Sequence, residues 1–343
     1  MPENSLKCPY CNSMEISKQG KRKGKLQQSQ KLKCVRCNKN FTDKKLKHKS
    51  YPAHIIFNTI SYYNLGNTQS ETSAIIKRKY KTEVPQRTIS EWLKQYKDTC
   101  TFRRLRNEAK KLYSPDNIID QYEFLHNNLN YKYQIHNFKL NYLAVNNEKL
   151  QRLKLYLEKI PTKDFPHHIF KSNHEIKEKS DRASQADFKI LNIKPLSKQN
   201  LANKLCKLAL NLAKTNKERH QSIQDFFIAN DSTTIAAEIP IYLTHDDLLY
   251  FSSRNFNLNP NDFKTPITGH MDILQIRNNL IHILDYKPNA NKENPVHQLT
   301  IYALALASKA KLPLTMFKCA WFDENNYFEF FPLHVVYNKD DEK

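Results

Sequence analysis

Four cysteines fall within the first 37 residues, as Cys8-Pro9-Tyr10-Cys11 and Cys34-Val35-Arg36-Cys37, and 22 residues separate the two pairs. No other feature restricts the fold as tightly. Each CxxC places two thiols on one tight turn, and two such turns complete a tetrahedral shell of four sulfurs. That is a ligand set for zinc. A shell closed by four thiolates leaves no position for a substrate, so the expected role is structural. The redox reading of a CxxC needs a βαβ pattern around it, and none is present.

Residues 1–50 hold 14 Lys/Arg against 3 Asp/Glu, a local basic footprint within a chain of 343 residues and net charge +21. Such a balance points to a polyanionic partner, of which nucleic acid is the usual one. The length argues for two or three domains. With only four glycines and no GxGxxG or P-loop pattern, a glycine-rich nucleotide loop is disfavoured. No apolar run approaches the ~18–20 residues of a membrane span. The segment at Met1 is polar and holds a CxxC, unlike a signal peptide. The expectation is an intracellular protein, cytoplasmic and nucleoid-associated, whose seven cysteines are thiols or metal ligands rather than disulfides.

Beyond residue 50 the pattern turns helical. Residues 51–64 are amphipathic, and Asn67 or Thr68 can cap a second helix running through Glu71 to Tyr80. A turn at 81–85 leads to a third helix, Arg87–Tyr96, with Ile89, Trp92 and Leu93 on one face. Three short helices with a tight last connection suggest a helix-turn-helix. Residues 99–200 are Asn/Lys-rich and read as a mostly helical spacer, with helices around 117–130 and 147–159. From 201 the texture changes. A long helical pattern covers 201–227, and a strand follows at 235–243, with Pro240 marking an edge or a bulge. Two β-rich runs, 269–276 and 280–287, flank the turn Arg277-Asn278-Asn279; an apolar helix at 295–310 and strands at 314–322 and 327–333 complete the chain.

The N-terminal segment resembles the zinc ribbons at the front of insertion-sequence transposases. There a CPxC, a basic hairpin, a CxxC and a Phe-Thr pair follow in order, as Cys8–Cys11, Cys34–Cys37 and Phe41-Thr42 do here. The resemblance covers roughly residues 5–100, because those ribbons are often followed by a helix-turn-helix, and the run Thr88–Leu93 looks like its recognition helix. It implies DNA docking. Lys21, Arg22 and Lys23 of the ribbon hairpin would meet phosphates, while Gln86, Arg87 and Ser90, early in the third helix, are candidates for base edges.

The C-terminal third carries a different chemistry. Asp285 and Lys287 stand two apart on a strand, so both side chains point to one face, and the antiparallel partner can bring Asp272 to the same end. Acids and a lysine gathered there are costly unless used. Two carboxylates can hold Mg²⁺ or Mn²⁺ through hard oxygens, and a lysine beside them can orient water or stabilise charge, which suits phosphodiester hydrolysis. The alternative is a structural ion pair at a strand end. Gln298 and Tyr302 share one face of the following helix. His270, His282 and His297 lie near in sequence and are read as bystanders.

Residues of about 205–335 resemble the RecB-like branch of the PD-(D/E)xK nucleases. That family orders a helix with His, a strand with Glu, G-x-x-D, D-x-K and Q-x-x-x-Y. The matching positions are His220, Glu238, Gly269 with Asp272, Asp285 with Lys287, and Gln298 with Tyr302. The resemblance implies a metal held by His220, Asp272, Asp285 and the Tyr286 carbonyl. It also implies a catalytic Lys287, with Gln298 and Tyr302 supporting the site or the DNA strand, and Glu238 counted with the catalytic set. Some relatives hold an iron–sulfur cluster on four cysteines. Only Cys206 and Cys319 lie here, with Cys100 upstream, so no iron–sulfur cluster is expected.

The expected protein is a mixed α/β (α+β) multidomain chain: a zinc ribbon (1–50), a helix-turn-helix (51–98), a mostly helical spacer (99–200) and a restriction-endonuclease-like αβββαβ core (201–343). The expected function is a Mg/Mn-dependent deoxyribonuclease with structural zinc, acting on DNA in mobile-element or genome-maintenance processes. No membrane partner is expected, while a homodimer or recombination and transposition partner proteins are compatible. The alternatives are a transcription regulator or transposase-associated protein with an inactive or accessory nuclease fold.

Overall fold

The computed structural model describes residues 7–8, 10–23, 28–42, 50–126, 129–166, 181–186, 188–263 and 266–337, and among them the chain is mixed α/β. Strands β1 (Ile16–Lys23), β2 (Gln28–Cys34) and β3 (Asn40–Thr42) form an antiparallel sheet behind the cysteine turns. The register of β1 against β2 shifts between Lys18 and Lys21, where Gly20 takes φ +79°, a conformation that a side chain would disfavour.

Helices α1 (Ala53–Asn64), α2 (Gln69–Tyr80) and α3 (Gln86–Gln95) pack on one another. Thr68 closes the expected cap as a reciprocal box: the Glu71 amide donates to its Oγ1 at 3.2 Å, and its own amide donates to Glu71 at 2.7 Å. Lys81, at φ 53°, ends α2 in a left-handed turn. The buried face of α3 is Ile89, Trp92 and Leu93, as its spacing predicts. In α4 (Arg106–Leu112), the Arg106 guanidinium is buried and donates to the carbonyls of Tyr63, Gly66 and Asn67, which ties down the α1–α2 turn.

The next segment differs from the expected helical spacer. Residues placed in a helix around 117–130 instead form a hairpin of β4 (Ile119–His126) and β5 (Leu129–His136). Tyr133 and Ile135 of β5 are buried, and β5 pairs with a strand a hundred residues later, a long-range contact that local pattern does not record. Helices α5 (Asn137–Ala144) and α6 (Glu148–Leu157) follow, the second near the expected 147–159. Short strands β6 (Asp181–Arg182) and β7 (Leu196–Ser197) precede helices α7 (Leu201–Ala209) and α8 (Arg219–Asn230).

Then come β8 (Thr234–Leu243), α9 (His245–Ser252), β9 (Ile267–Arg277), β10 (Leu280–Tyr286), α10 (Val296–Lys309), β11 (Phe317–Phe322), β12 (Tyr327–Phe330) and α11 (Leu333–Val336). One sheet joins them in the order β4-β5-β8-β9-β10-β11-β12-β7, with β6 against the start of β9. β10 and β11 run parallel, and α10 supplies the crossover that parallel pairing requires. β8 runs inside the sheet, yet its pairing with β5 is confined to Ala236 and Ala237. Pro240 therefore lies where β9 is its recorded neighbour, locally an edge.

Helices cover both faces of this sheet. α6 and α10 share one core with Leu274, Ile283 and Trp321; α1, α3, α7 and α8 share another with Ile273, Leu284 and Phe322. The segment of α1–α3 is thus packed on the C-terminal unit rather than strung before it. Phe57 of α1 meets Phe226 of α8 at 6.0 Å, and Asn230 joins Asn64 through a buried hydrogen bond and Ser61 through a part-buried one, both of 2.8 Å. No helix among the described residues is long and apolar enough to cross a membrane.

Candidate functional site

The four N-terminal cysteines converge. Cys8 Sγ lies 3.6 Å from Cys37 Sγ, and Cys11 Sγ lies 3.5 Å from Cys34 Sγ. Zn–S bonds of about 2.3 Å arranged tetrahedrally put sulfurs ~3.8 Å apart, so the cluster has the right size to bind zinc. Each turn is closed the same way. The amides of Asn12 and Asn38 bond back to the Cys8 and Cys34 carbonyls at 2.9 and 3.0 Å, and both asparagines take positive φ, which Asn tolerates. Although its desolvation works in the other direction, hydrogen bonds from the Tyr10 and Cys11 amides draw the Cys8 thiol down to about 6. The first turn thus favours a thiolate at Cys8, whereas at Cys11 the Ser13 amide is outweighed by burial and the neighbouring sulfurs, which push that thiol up to about 12.

The second constellation is built on the β9–β10 hairpin. Its loop is Asn278-Asn279, with φ 51° and 59°, the twist that a two-residue hairpin prefers. The loop sets the register, Leu284 pairs with Ile273, and the next residues along, Asp285 and Asp272, face each other across the ladder. Both are buried. Asp272 Oδ2 accepts the Tyr286 amide at 2.9 Å and lies 3.5 Å from His220 Nδ1 on α8. Asp285 Oδ2 lies 2.8 Å from Lys287 Nζ. Lys287 donates to Gln298 Oε1 at 3.3 Å, and Gln298 donates to the Tyr302 hydroxyl at 2.9 Å, so α10 backs the lysine through a polar chain. Gly269 makes room for that chain, because a Cβ there would stand 2.7 Å from Tyr302 Cε1.

Glu238 comes to the same place from β8. It is buried and holds φ 52°, sparsely populated for a non-glycine residue and a conformation that clusters at functional sites. Its carboxylate contacts His270 Nδ1 and accepts from Gln224 Nε2, which also reaches Asp272 Oδ1 at 3.4 Å. One ligand atom each from Glu238, His270 and Asp272 lie within 4.8 Å of one another, a group that could hold a metal ion.

The electrostatics follow from crowding acids in a dry site. Burial and the neighbouring Asp272 charge push the Asp285 carboxyl up to about 6. Burial opposes ionisation of Asp272 too, but the His220 hydrogen bond and charge, the Tyr286 amide and Lys287 together hold it below the ordinary range. Desolvation would lower Lys287, His220 and His270; the carboxylates of Asp285, Asp272 and Glu238, respectively, override it and raise all three.

The expected residues His220, Glu238, Asp272, Asp285, Lys287, Gln298 and Tyr302 therefore lie together, and Tyr286 contributes its amide to Asp272. Two members are additions. His270 is not the expected bystander; it alternates with Asp272 along β9, the same rule that aligns Asp285 with Lys287. Gln224 stands four residues after His220 on α8, one turn along the same face. His282 and His297 do lie apart: His282 is held among Arg277, Lys318 and Glu329, and His297 against Phe188.

The candidate DNA contacts are at the surface. Lys21 and Arg22 are exposed on β1, while the Lys23 side chain lies outside the described residues. Gln86, Arg87 and Ser90 are exposed along the start of α3. Arg87 pairs with Glu91 at 3.4 Å, and Ser90 donates to Gln69 at 3.1 Å. No family model matches this chain, and neither a curated protein nor a solved structure matches it.

Proposed function

We propose that the chain is a divalent-metal-dependent deoxyribonuclease whose zinc ribbon and helix-turn-helix hold the DNA that its C-terminal unit cuts. The observation that carries this reading is the meeting of buried Asp272 and Asp285 with half-buried Lys287 at the end of one β-hairpin, with Lys287 held from behind by Gln298 and Tyr302. The order α8–β8–α9–β9–β10–α10–β11, in which α9 is inserted between β8 and β9 and β10 and β11 run parallel, supports a RecB-like PD-(D/E)xK core. Structural zinc on Cys8, Cys11, Cys34 and Cys37 and the basic front end support DNA as the substrate, with work on the nucleoid in mobile-element or genome-maintenance processes.

The residues fit a cation. Asp285 is raised because acids crowd a dry site, which a bound positive charge relieves. His220, Asp272 and Asp285, with the Tyr286 carbonyl, would hold Mg²⁺ or Mn²⁺, which when bound lowers the pKa of water and neutralises phosphoryl charge. Hydrolysis adds water across one P–O ester bond, leaving a phosphate monoester and a hydroxyl. Lys287, raised by Asp285, stays an ammonium; it serves as a donor to the water or a phosphoryl oxygen rather than as a base. The Arg87–Glu91 pair is exposed on both sides and of small net worth, so a phosphate or base edge can displace it. Incubation of supercoiled and linear DNA with the full chain in Mg²⁺ or Mn²⁺ tests the reading. Nicked or shortened products are expected; binding without cleavage in either metal would leave a DNA-binding regulator instead.

A further inference from the structure

We propose that Glu238, His270 and Asp272 form a second cation position, selective for a transition-metal divalent ion, with Asp272 shared between it and the position on His220 and Asp285. The site stands on its own geometry. Only the identity of its neighbour rests on the nuclease reading.

Three observations lead there. The ligand atoms of Glu238, His270 and Asp272 lie within 4.8 Å of one another, and they come from two adjacent strands: Ala237 pairs with Ile273 and Ile239 with Met271, so Glu238 stands opposite Asp272. Glu238 is 5% exposed, and its Oε1 lies directly against His270 Nδ1. Gln224 Nε2 reaches both Glu238 and Asp272, so the space between these carboxylates already attracts positive character.

The donor set selects the ion. Mg²⁺ favours an all-oxygen octahedron that retains water, whereas an imidazole nitrogen with two carboxylates suits Mn²⁺ and the later divalent metals. The imidazole is also fixed from outside. The Tyr131 ring lies tilted against it at 4.2 Å and the His126 ring stands edge-on at 5.7 Å, while His126 Nε2 meets Thr268 Oγ1 at 3.0 Å. This gives the β4–β5 hairpin a function: it orients a metal ligand, as outer residues around metal sites do.

Mn²⁺ binding to the zinc-loaded full chain, counted by calorimetry and by paramagnetic resonance, tests the proposal. Wild type should bind two Mn²⁺ beyond the ribbon zinc. His270→Gln and Glu238→Gln should each keep one and weaken the other more than about tenfold, with circular dichroism unchanged; Glu238→Gln carries the test if His270→Gln does not fold. Asp285→Asn should lose the opposite ion. Two ions retained at full affinity in both Glu238→Gln and His270→Gln would overturn the second site. So would a single ion lost in Asp285→Asn and indifferent to His270→Gln, and that result would leave the nuclease reading standing. A single ion lost in His270→Gln but kept in Asp285→Asn would uphold this site and overturn the metal role given to Asp285.

Discussion

Gly269→Ala tests how tightly the backing of Lys287 is packed. The added Cβ would lie 2.7 Å from Tyr302 Cε1, 3.0 Å from its hydroxyl and 3.3 Å from Cζ. Carbon contacts are comfortable from about 3.5 Å, so the ring must retreat by roughly 0.8 Å. Tyr302 is 4% exposed on a helix packed against the sheet, and it has little room to move. Overpacking of this kind costs typically about 1–3 kcal/mol. Displacing the hydroxyl from Gln298 removes a hydrogen bond worth about 1 kcal/mol more. The expected loss is about 2–4 kcal/mol. Urea unfolding of wild type, Gly269→Ala, Tyr302→Ala and the double variant measures it as a cycle. With the ring gone, the methyl should cost less than about 0.5 kcal/mol, since alanine also restricts the unfolded chain. An equal cost in both backgrounds would refute the close approach.

Other expectations follow from the same geometry. Cys34→Ser should lower the zinc content from about one per chain to near zero, read by metal analysis; retained zinc would mean a different ligand set. His282 is buried, and desolvation and the charge of Arg277 push its imidazole down to about 4. Between pH 6.5 and about 4 the unfolded chain therefore binds a proton that the folded chain refuses. The stabilising contribution is complete above pH 6.5 and is lost as pH falls through that window. Urea melts at pH 7 and 4.5 should show wild type losing about 2 kcal/mol more than His282→Gln, and parallel losses would contradict the assignment. Arg87→Ala should weaken DNA binding and reduce its salt dependence by about one ion if the side chain meets a phosphate; an unchanged salt slope would place Arg87 away from the backbone.

How much of this was legible beforehand depended on whether the determining contact was local. The cysteine turns were, because ligand spacing within a turn is a covalent constraint, and the asparagine after each pair marks the left-handed residue that closes it. The β9–β10 hairpin was, because Asn278-Asn279 and the alternation of Asp285 with Lys287 belong to one short segment. The face of α3 was, through its helical spacing. The β4–β5 hairpin was not. β4 is an edge strand with much of its length exposed, so it lacks a clean alternation, and what seats the hairpin in the sheet is the pairing of β5 with β8, far along the chain. Glu238 was visible as a residue but not as a left-handed position inside a strand, which no propensity suggests. His270 stands two residues from Asp272 on β9, so the alternation that aligns Asp285 with Lys287 places it on the same face, although nothing in its sequence neighbourhood marks it as a ligand.

The central claim is that Asp285 and Lys287 form a working pair at a phosphodiester-cleaving site. Its most direct test is DNA cleavage by wild type, Asp285→Ala and Lys287→Ala in Mg²⁺ and Mn²⁺, with folding of each variant checked by circular dichroism. Metal-dependent cleavage by wild type and a loss of at least about a hundredfold in each folded variant are predicted. Cleavage that persists undiminished in both variants, or is absent from wild type with either metal, would contradict it.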